Sequence, residues 1–163
     1  MKRKLICRAL TVLLPFLLVI CLLPATALAA DTATVQINGK TLQNGVSVPC
    51  GEGTAVLDEE SGTLTLNNAT INQEGTTPVL RADNGELKVI LIGENTITST
   101  SMKPFYCSGV DLTIQGTEKD SLTIKTESDG LQIDNGNLTI DGCKIDITLS
   151  LIHISEPTRQ AEI

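Results

Sequence analysis

The sequence predicts an all-β chain wound as a parallel β-helix of about four coils, with a β cap on its N-terminal side. Three observations predict this. The first is a short phrase that returns four times, as Leu64-Thr65-Leu66-Asn67-Asn68, Val89-Ile90-Leu91-Ile92-Gly93, Leu112-Thr113-Ile114-Gln115-Gly116 and Leu138-Thr139-Ile140-Asp141-Gly142. Its starts lie 25, 23 and 26 residues apart. A unit of that size cannot bury an apolar face alone, whereas stacked copies can. The second is the strict alternation of apolar and other residues within each copy, the period of a strand, while no stretch after residue 30 shows a helical period. The third is punctuation: Asn and Gly recur at the same place in each copy, where turns need positive φ. An antiparallel sandwich also has short strands and turn signals. The recurrence of the same turn residues at the same position favours the β-helix.

Each element follows from local chemistry. Thr34-Val35-Gln36-Ile37 alternates and is closed by Asn38-Gly39, a tight-hairpin signal. Val46-Ser47-Val48 reads as a strand stopped by Pro49, and Ala55-Val56-Leu57 leads through Glu60-Ser61-Gly62 into the first repeat. Residues 31–63 are therefore read as a hairpin-rich cap over a strand edge that would otherwise invite aggregation. Within residues 64–149, a second strand ends at Ile71, Ile97, Leu122-Ile124 or Ile145-Ile147. Third-strand candidates are Pro78-Val79-Leu80, Pro104-Phe105-Tyr106 and Leu131-Gln132-Ile133. They run into Asp83-Asn84-Gly85, Ser108-Gly109 and Asp134-Asn135-Gly136, each returning the chain to the next copy.

The two ends read differently. Residues 1–30 open with Lys2, Arg3, Lys4 and Arg8, run apolar from Ala9 to Leu23 and close on Ala27-Leu28-Ala29, the pattern of a cleaved signal peptide. The expected mature chain begins at Ala30 or Asp31, is secreted or held at a bacterial cell surface, and keeps no membrane segment. Residues 150–163 leave the Thr/Asp/Gly/Ile vocabulary and bring in His153, the one histidine. This string resembles translated sequencing adapter, so it is expected to be non-native and the coils to be a C-terminally truncated fragment. A stack cut there is expected to be marginal, to aggregate, or to be cleaved after Thr148.

Charge and composition exclude several functions. Residues 30–149 hold 17 Asp or Glu and 7 Lys or Arg, a net charge of −10. Such a surface repels phosphate backbones, which sets nucleic acid aside as a partner. The same span has no His and no Trp, a single Arg (Arg81), one Phe (Phe105) and one Tyr (Tyr106). Nucleophilic systems that need a histidine base, and His/Cys zinc sites, thus lack their residues. Arg81 is the lone candidate base for lyase chemistry. Glycoside hydrolysis needs two carboxylates at a set separation, and no spacing singles out a pair among Asp129, Asp134, Asp141 and Asp146. Cys50, Cys107 and Cys143 are an odd set. Cys107 and Cys143 could meet on adjacent coils, or all three could be free buried thiols.

What remains is binding chemistry on the turns. Asp83-Asn84 and Asp134-Asn135 occupy equivalent turns 51 residues apart, with Ser108 in the coil between. With Asp129 on the opposite flank of the third strand, Asp83 and Asp134 are candidate oxygen ligands for calcium; plain Asx turns are the structural alternative. Phe105 and Tyr106 are adjacent in a strand, so they face opposite sides and one of them, Tyr106 for sugar stacking, can point outward. The sequons at Asn68-Ala69-Thr70 and Asn137-Leu138-Thr139 are equally well explained by turn Asn and strand Thr.

Two stretches carry a family resemblance. Glu60-Ser61-Gly62-Thr63-Leu64-Thr65-Leu66-Asn67-Asn68-Ala69-Thr70-Ile71 and Leu87-Lys88-Val89-Ile90-Leu91-Ile92-Gly93-Glu94-Asn95-Thr96-Ile97-Thr98 resemble phrases of bacterial secreted proteins described as carbohydrate-binding domain-containing. The resemblance spans roughly Thr34 to Thr148. It implies a right-handed β-helix related in fold to pectate lyases, and calcium-assisted binding of cell-wall or acidic polysaccharide without established catalysis. The family's usual aromatic near the start of the cap is absent, where Val35-Gln36-Ile37 stands. The expected function is a non-catalytic carbohydrate-binding module, with Tyr106, Asp83, Asn84, Asp134 and Asn135 as ligand-binding candidates. A structural stalk and a fragment of a lyase or hydrolase are the alternatives.

Overall fold

The computed structural model describes residues 31–73, 76–100 and 103–149. Both the signal segment and the tail read from the sequence lie outside the described residues. Thirteen strands and no helix are described, wound as a β-solenoid. In chain order they are β1 (Thr34–Ile37), β2 (Lys40–Thr41), β3 (Ser47–Cys50), β4 (Gly53–Asp58), β5 (Thr63–Asn67), β6 (Thr70–Gln73), β7 (Leu80–Ile92), β8 (Glu94–Ser99), β9 (Phe105–Gln115), β10 (Ser121–Thr126), β11 (Leu131–Asp134), β12 (Leu138–Asp141) and β13 (Lys144–Leu149).

Three sides make each coil. The first side stacks β5, the C-terminal half of β7, the C-terminal half of β9, and β12, all parallel. The second side is the four-stranded parallel sheet β13-β10-β8-β6. The third stacks the N-terminal half of β7, the N-terminal half of β9, and β11. Three turns are complete, and β12 with β13 supplies two sides of a fourth.

The expected third strands begin later than Pro78 and Pro104. Leu80, Phe105 and Leu131 are the first paired residues of that side. The strands from Leu80 and Phe105 also run on unbroken into the first side, because Asn84 (φ 54°) and Gly109 (φ 65°) turn the corner without ending the ladder, whereas β11 stops at Asp134 and β12 begins at Leu138.

Register makes the repeat more regular than its wording. Leu64 pairs with Val89, Val89 with Ile114, and Ile114 with Ile140. The coils are thus 25, 25 and 26 residues long, and Val89 is not the counterpart of Leu112. Leu87 is. A slip of two residues leaves every side chain on its own face, so apolar alternation alone could not detect it.

Alternation then fills the interior. Leu64, Val89 and Ile114 line the first side, Ile71, Ile97 and Ile124 the second, and Leu80 and Phe105 the third, all buried. Three polar residues among those described, Asn95, Ser99 and Thr126, are buried with this core. Asn95 is 1 % exposed; its Oδ1 accepts from the Ala69 N–H (2.8 Å), and its Nδ2 donates to the carbonyls of Ile92, Gly93 and Ser121 (3.3 Å each). A buried amide so engaged satisfies backbone groups of three successive coils. Asp120 does similar work at the next corner. It accepts from the Gly93 N–H and from the N–H and hydroxyl of Thr117, at 2.7 Å each.

The cap closes the first coil with antiparallel strands. β4 pairs with β5, and β3 with β4. β1 pairs with the Leu80–Asp83 stretch of β7 and turns through Asn38-Gly39 (φ 50° and 73°) into β2. Positive φ at both turn residues is the hairpin geometry that Asn-Gly favours. β3 runs through Pro49 rather than stopping at it. As the outermost strand, β3 needs no ladder donor from Pro49 on its open side.

Candidate functional site

The outward face of the third side gathers the single Tyr, the single described Arg and two of the expected carboxylates. Alternation points Arg81, Tyr106 and Gln132 outward as one row, and Asp83, Ser108 and Asp134 as the next, in strict register across three coils. Phe105 points the other way and is fully buried. The aromatic pair is therefore divided as adjacent strand residues must be.

Side-chain bonds knit this face. Arg81 grips Asp83 through two parallel hydrogen bonds, Nε to Oδ2 at 2.7 Å and Nη2 to Oδ1 at 2.9 Å. The fork uses part of the guanidinium and leaves Nη1 for other acceptors. The Tyr106 hydroxyl donates to Asp134 Oδ2 (3.0 Å), and Gln132 Nε2 donates to Asp134 Oδ1 (2.9 Å). Those bonds, Gln132's first and Tyr106's second, hold the Asp134 carboxyl below its ordinary range. Lys103 Nζ lies 4.7 Å from the Tyr106 ring centroid and the Arg81 guanidinium carbon 5.7 Å. Both distances are within cation–π range. Among the described residues Lys103 belongs to no ion pair.

The predicted positions fare unequally. Asp83, Tyr106 and Asp134 are brought onto one face. Asn84 and Asn135 lie at its rim, with φ of 54° and 57°, and Gly109 occupies the same turn position in the coil between. Their side chains share the corner, where the Asn84 Oδ1 lies 3.3 Å from the place a Cβ on Gly109 would take. Asp129 is exposed in the turn between β10 and β11 and makes no hydrogen bond or ion pair among the described residues.

A calcium shell needs six to eight converging oxygens, and these groups do not supply one. Asp83 and Asp134 sit two strands apart, roughly 9–10 Å by strand spacing. Each already accepts hydrogen bonds from neighbours. No group of three or more His, Cys, Asp or Glu among the described residues is placed to hold a metal ion. The carboxylates weighed for hydrolysis are also divided: Asp134 is on the third side, Asp141 on the first and Asp146 on the second.

Lys103 and Gln132 were not singled out by the sequence. Gln132 was within reach of a correct register, since it stands one coil from Tyr106. Lys103 sits in a turn with φ 59° immediately before Pro104, and no repeat pattern marks it.

The three cysteines among the described residues, Cys50, Cys107 and Cys143, are free. Cys107 lies inward between Ala82 and Ile133, and burial, aided by the nearby Asp83 charge, pushes its thiol up to about 12. The Cys143 thiol donates to the Ile114 carbonyl (3.9 Å) and forms no disulfide with Cys107. A shallow depression of about 370 Å³ marks the corner of the first and third sides, lined by Ser61, Glu86, Lys88, Asp111, Thr113 and Gln115. No helix among the described residues is long and apolar enough to cross a membrane. No protein-family model, curated protein or solved structure matches this chain.

Proposed function

We propose that this chain is a secreted or cell-surface, non-catalytic carbohydrate-binding module whose third side is the recognition face. The observation that carries the reading is the outward row Arg81–Tyr106–Gln132 beside Asp83 and Asp134. An aromatic ring offers a flat apolar platform for the C–H face of a sugar. Around it, Lys103 and the free Nη1 of Arg81 donate to ring hydroxyls, while the carboxylates of Asp83 and Asp134 accept from them. Because Arg81, Asp83, Tyr106 and Asp134 stand on strands, and Lys103 alone in a turn, most of the face is preorganised and little ordering cost falls on binding. Calcium enters this reading as a bridge, with Asp83 or Asp134 giving one or two oxygens and an acidic glycan supplying others.

Retention on immobilised wall glycans, neutral and uronate-containing, tests the reading with calcium and with chelator. The expected result is retention that Tyr106→Ala reduces by about tenfold or more, with the strand signature in circular dichroism unchanged. Loss of retention with chelator alone assigns the calcium bridge, and retention in both buffers assigns direct binding. Failure of the wild-type chain to bind any glycan overturns the module. The spacer reading then stands, favoured by the outward row Thr70–Thr96–Thr123 of the second side, which repeats a hydroxyl in three successive coils before reaching Asp146. Turnover of a glycan would sink both.

A further inference from the structure

We propose that the recognition face is one end of a longer track, wound along the second coil, that holds an extended linear glycan with neutral units seated at its far end. This rests on the reading of the third side as a sugar-binding face and adds where the rest of the glycan lies. The track follows from register. At the last outward position before the corner the three coils carry Asp83, Ser108 and Asp134, and at the corner itself Asn84, Gly109 and Asn135. The middle coil thus sets a Ser and a Gly between larger residues on either side. Gly109 is open above: apart from its chain neighbours, a Cβ there would meet only the Asn84 Oδ1 (3.3 Å) and Cα (3.9 Å) within 4 Å. Ser108, Asn84 and Asn135 make no side-chain hydrogen bond among the described residues, so their hydroxyl and amides are free to meet a ligand.

Beyond the corner the same coil leads into the depression of about 370 Å³. Its outward residues there, Asp111 and Thr113, stand beside their register partners Glu86 and Lys88 of the coil before. Asp111 spends its Oδ1 on the N–H and Nδ2 of Asn137 (2.9 and 2.8 Å) and leaves Oδ2 for a ligand. Lys88 belongs to no ion pair among the described residues. Carboxylate acceptors, a hydroxyl and an ammonium side by side suit sugar hydroxyls, each of which both donates and accepts. Two carboxylates against one ammonium also disfavour a uronate in the depression, since like charges set together are costly. From Tyr106 to Thr113 the path is seven residues of the chain, roughly 20 Å at the strand rise. That is longer than one sugar ring. A sugar on Tyr106 is therefore continued, across the notch at Gly109, by units that reach the depression.

Titration with cello-oligosaccharides, xylo-oligosaccharides and oligogalacturonates, each from disaccharide to hexasaccharide, tests the track. Tyrosine fluorescence arises from Tyr106 alone, as the chain has one Tyr and no Trp, so it reports seating at the ring while calorimetry gives the affinity. A neutral series is expected to gain about tenfold in affinity from disaccharide to hexasaccharide, the worth of one or two net hydrogen bonds. The oligogalacturonates are expected to gain less. Gly109→Asn is expected to abolish the gain and leave disaccharide binding unchanged. It fills the notch without straining the turn, because Asn already holds φ of 54° and 57° at that position in both neighbouring coils. Circular dichroism checks that the fold is kept. Lys88→Ala is expected to remove the gain from the far end. Affinity that depends on Tyr106 but is flat with length overturns the track and leaves the recognition face standing, as does a gain that survives both variants. A larger gain for the oligogalacturonates overturns the neutral assignment. If no series binds at any length, the recognition reading falls and the track with it.

Discussion

The two ends of the solenoid are built from the same kinds of residue and differ in what covers them. At the N-terminal end, Val35, Ile37, Leu42 and Ala55 from the cap close over the first coil, and Leu64 and Leu66 beneath are fully buried. At the other end Leu138-Thr139-Ile140 is worded much like Leu64-Thr65-Leu66, yet its apolar residues stand nearly half open. Core status in a stacked coil is thus conferred by the neighbouring coil, not by the residue. On the first and third sides the capped end is closed by antiparallel strands, β4 on β5 and β1 on β7, that satisfy the ladder without continuing the winding.

The largest test of that contrast removes the same side chain from register partners. Ile114→Ala is expected to cost about 3 kcal/mol, the range for emptying a packed aliphatic site. Ile140→Ala is expected to cost less than about 1 kcal/mol, because water already reaches the site. Urea denaturation measures both, and equal losses would break the comparison.

Asn95 comes next. Asn95→Ala strips the Ala69 N–H of its partner inside the stack and is expected to cost about 1–3 kcal/mol. An unchanged urea midpoint would mean that the three coils it links are held without it.

Hydrogen exchange sharpens the gradient along the axis. Amides of β5, β7 and β8 are expected to exchange slowest, and those of β12 and β13 fastest, since the latter pair on one side. Uniform protection from β5 to β13 would contradict the open end.

The smallest effect is that of acid. Asp58, Asp120 and Asp134 are all held below the ordinary carboxylate value of 3.8, chiefly by the Ser61 hydroxyl, the Thr117 hydroxyl and the Gln132 amide respectively. A carboxyl that is more acidic when folded stabilises the fold above its unfolded value and loses that contribution as pH falls through the folded value. The urea midpoint is therefore expected to be flat near neutrality and to drop below about pH 4. Replacing Asp120 by Asn should shrink that drop, as Asp120 ties Gly93 of one coil to Thr117 of the next. A midpoint constant into strong acid would show that these bonds do not couple to folding.

Much of the architecture was legible before any coordinates. Alternation, recurring Asn and Gly, and the Asn38-Gly39 hairpin located the coils and the cap. The two-residue slip between Val89 and Leu112 was invisible, since even shifts keep the same face inward. Pro49 misled because a proline reads as a stop until the strand is known to be an edge. Of the recognition face, the turn equivalence of Asp83 and Asp134 and the outward turn of one of Phe105 and Tyr106 were readable. The fork from Arg81, the partnership of Tyr106 with Asp134 and the approach of Lys103 were not, because each joins side chains from different coils or from a turn outside the repeat.

By itself the sequence determined that this chain is all β, that it repeats, where its corners fall and which residues face inward. These are properties of one strand and one turn, set by side-chain alternation and by the few residues that accept positive φ. Only the tertiary structure decided the register between coils, the set of side chains sharing an outward face, and the exposure of the last rung. Each of those depends on what lies about 4.8 Å away along the stack, and no local pattern records the identity of that neighbour.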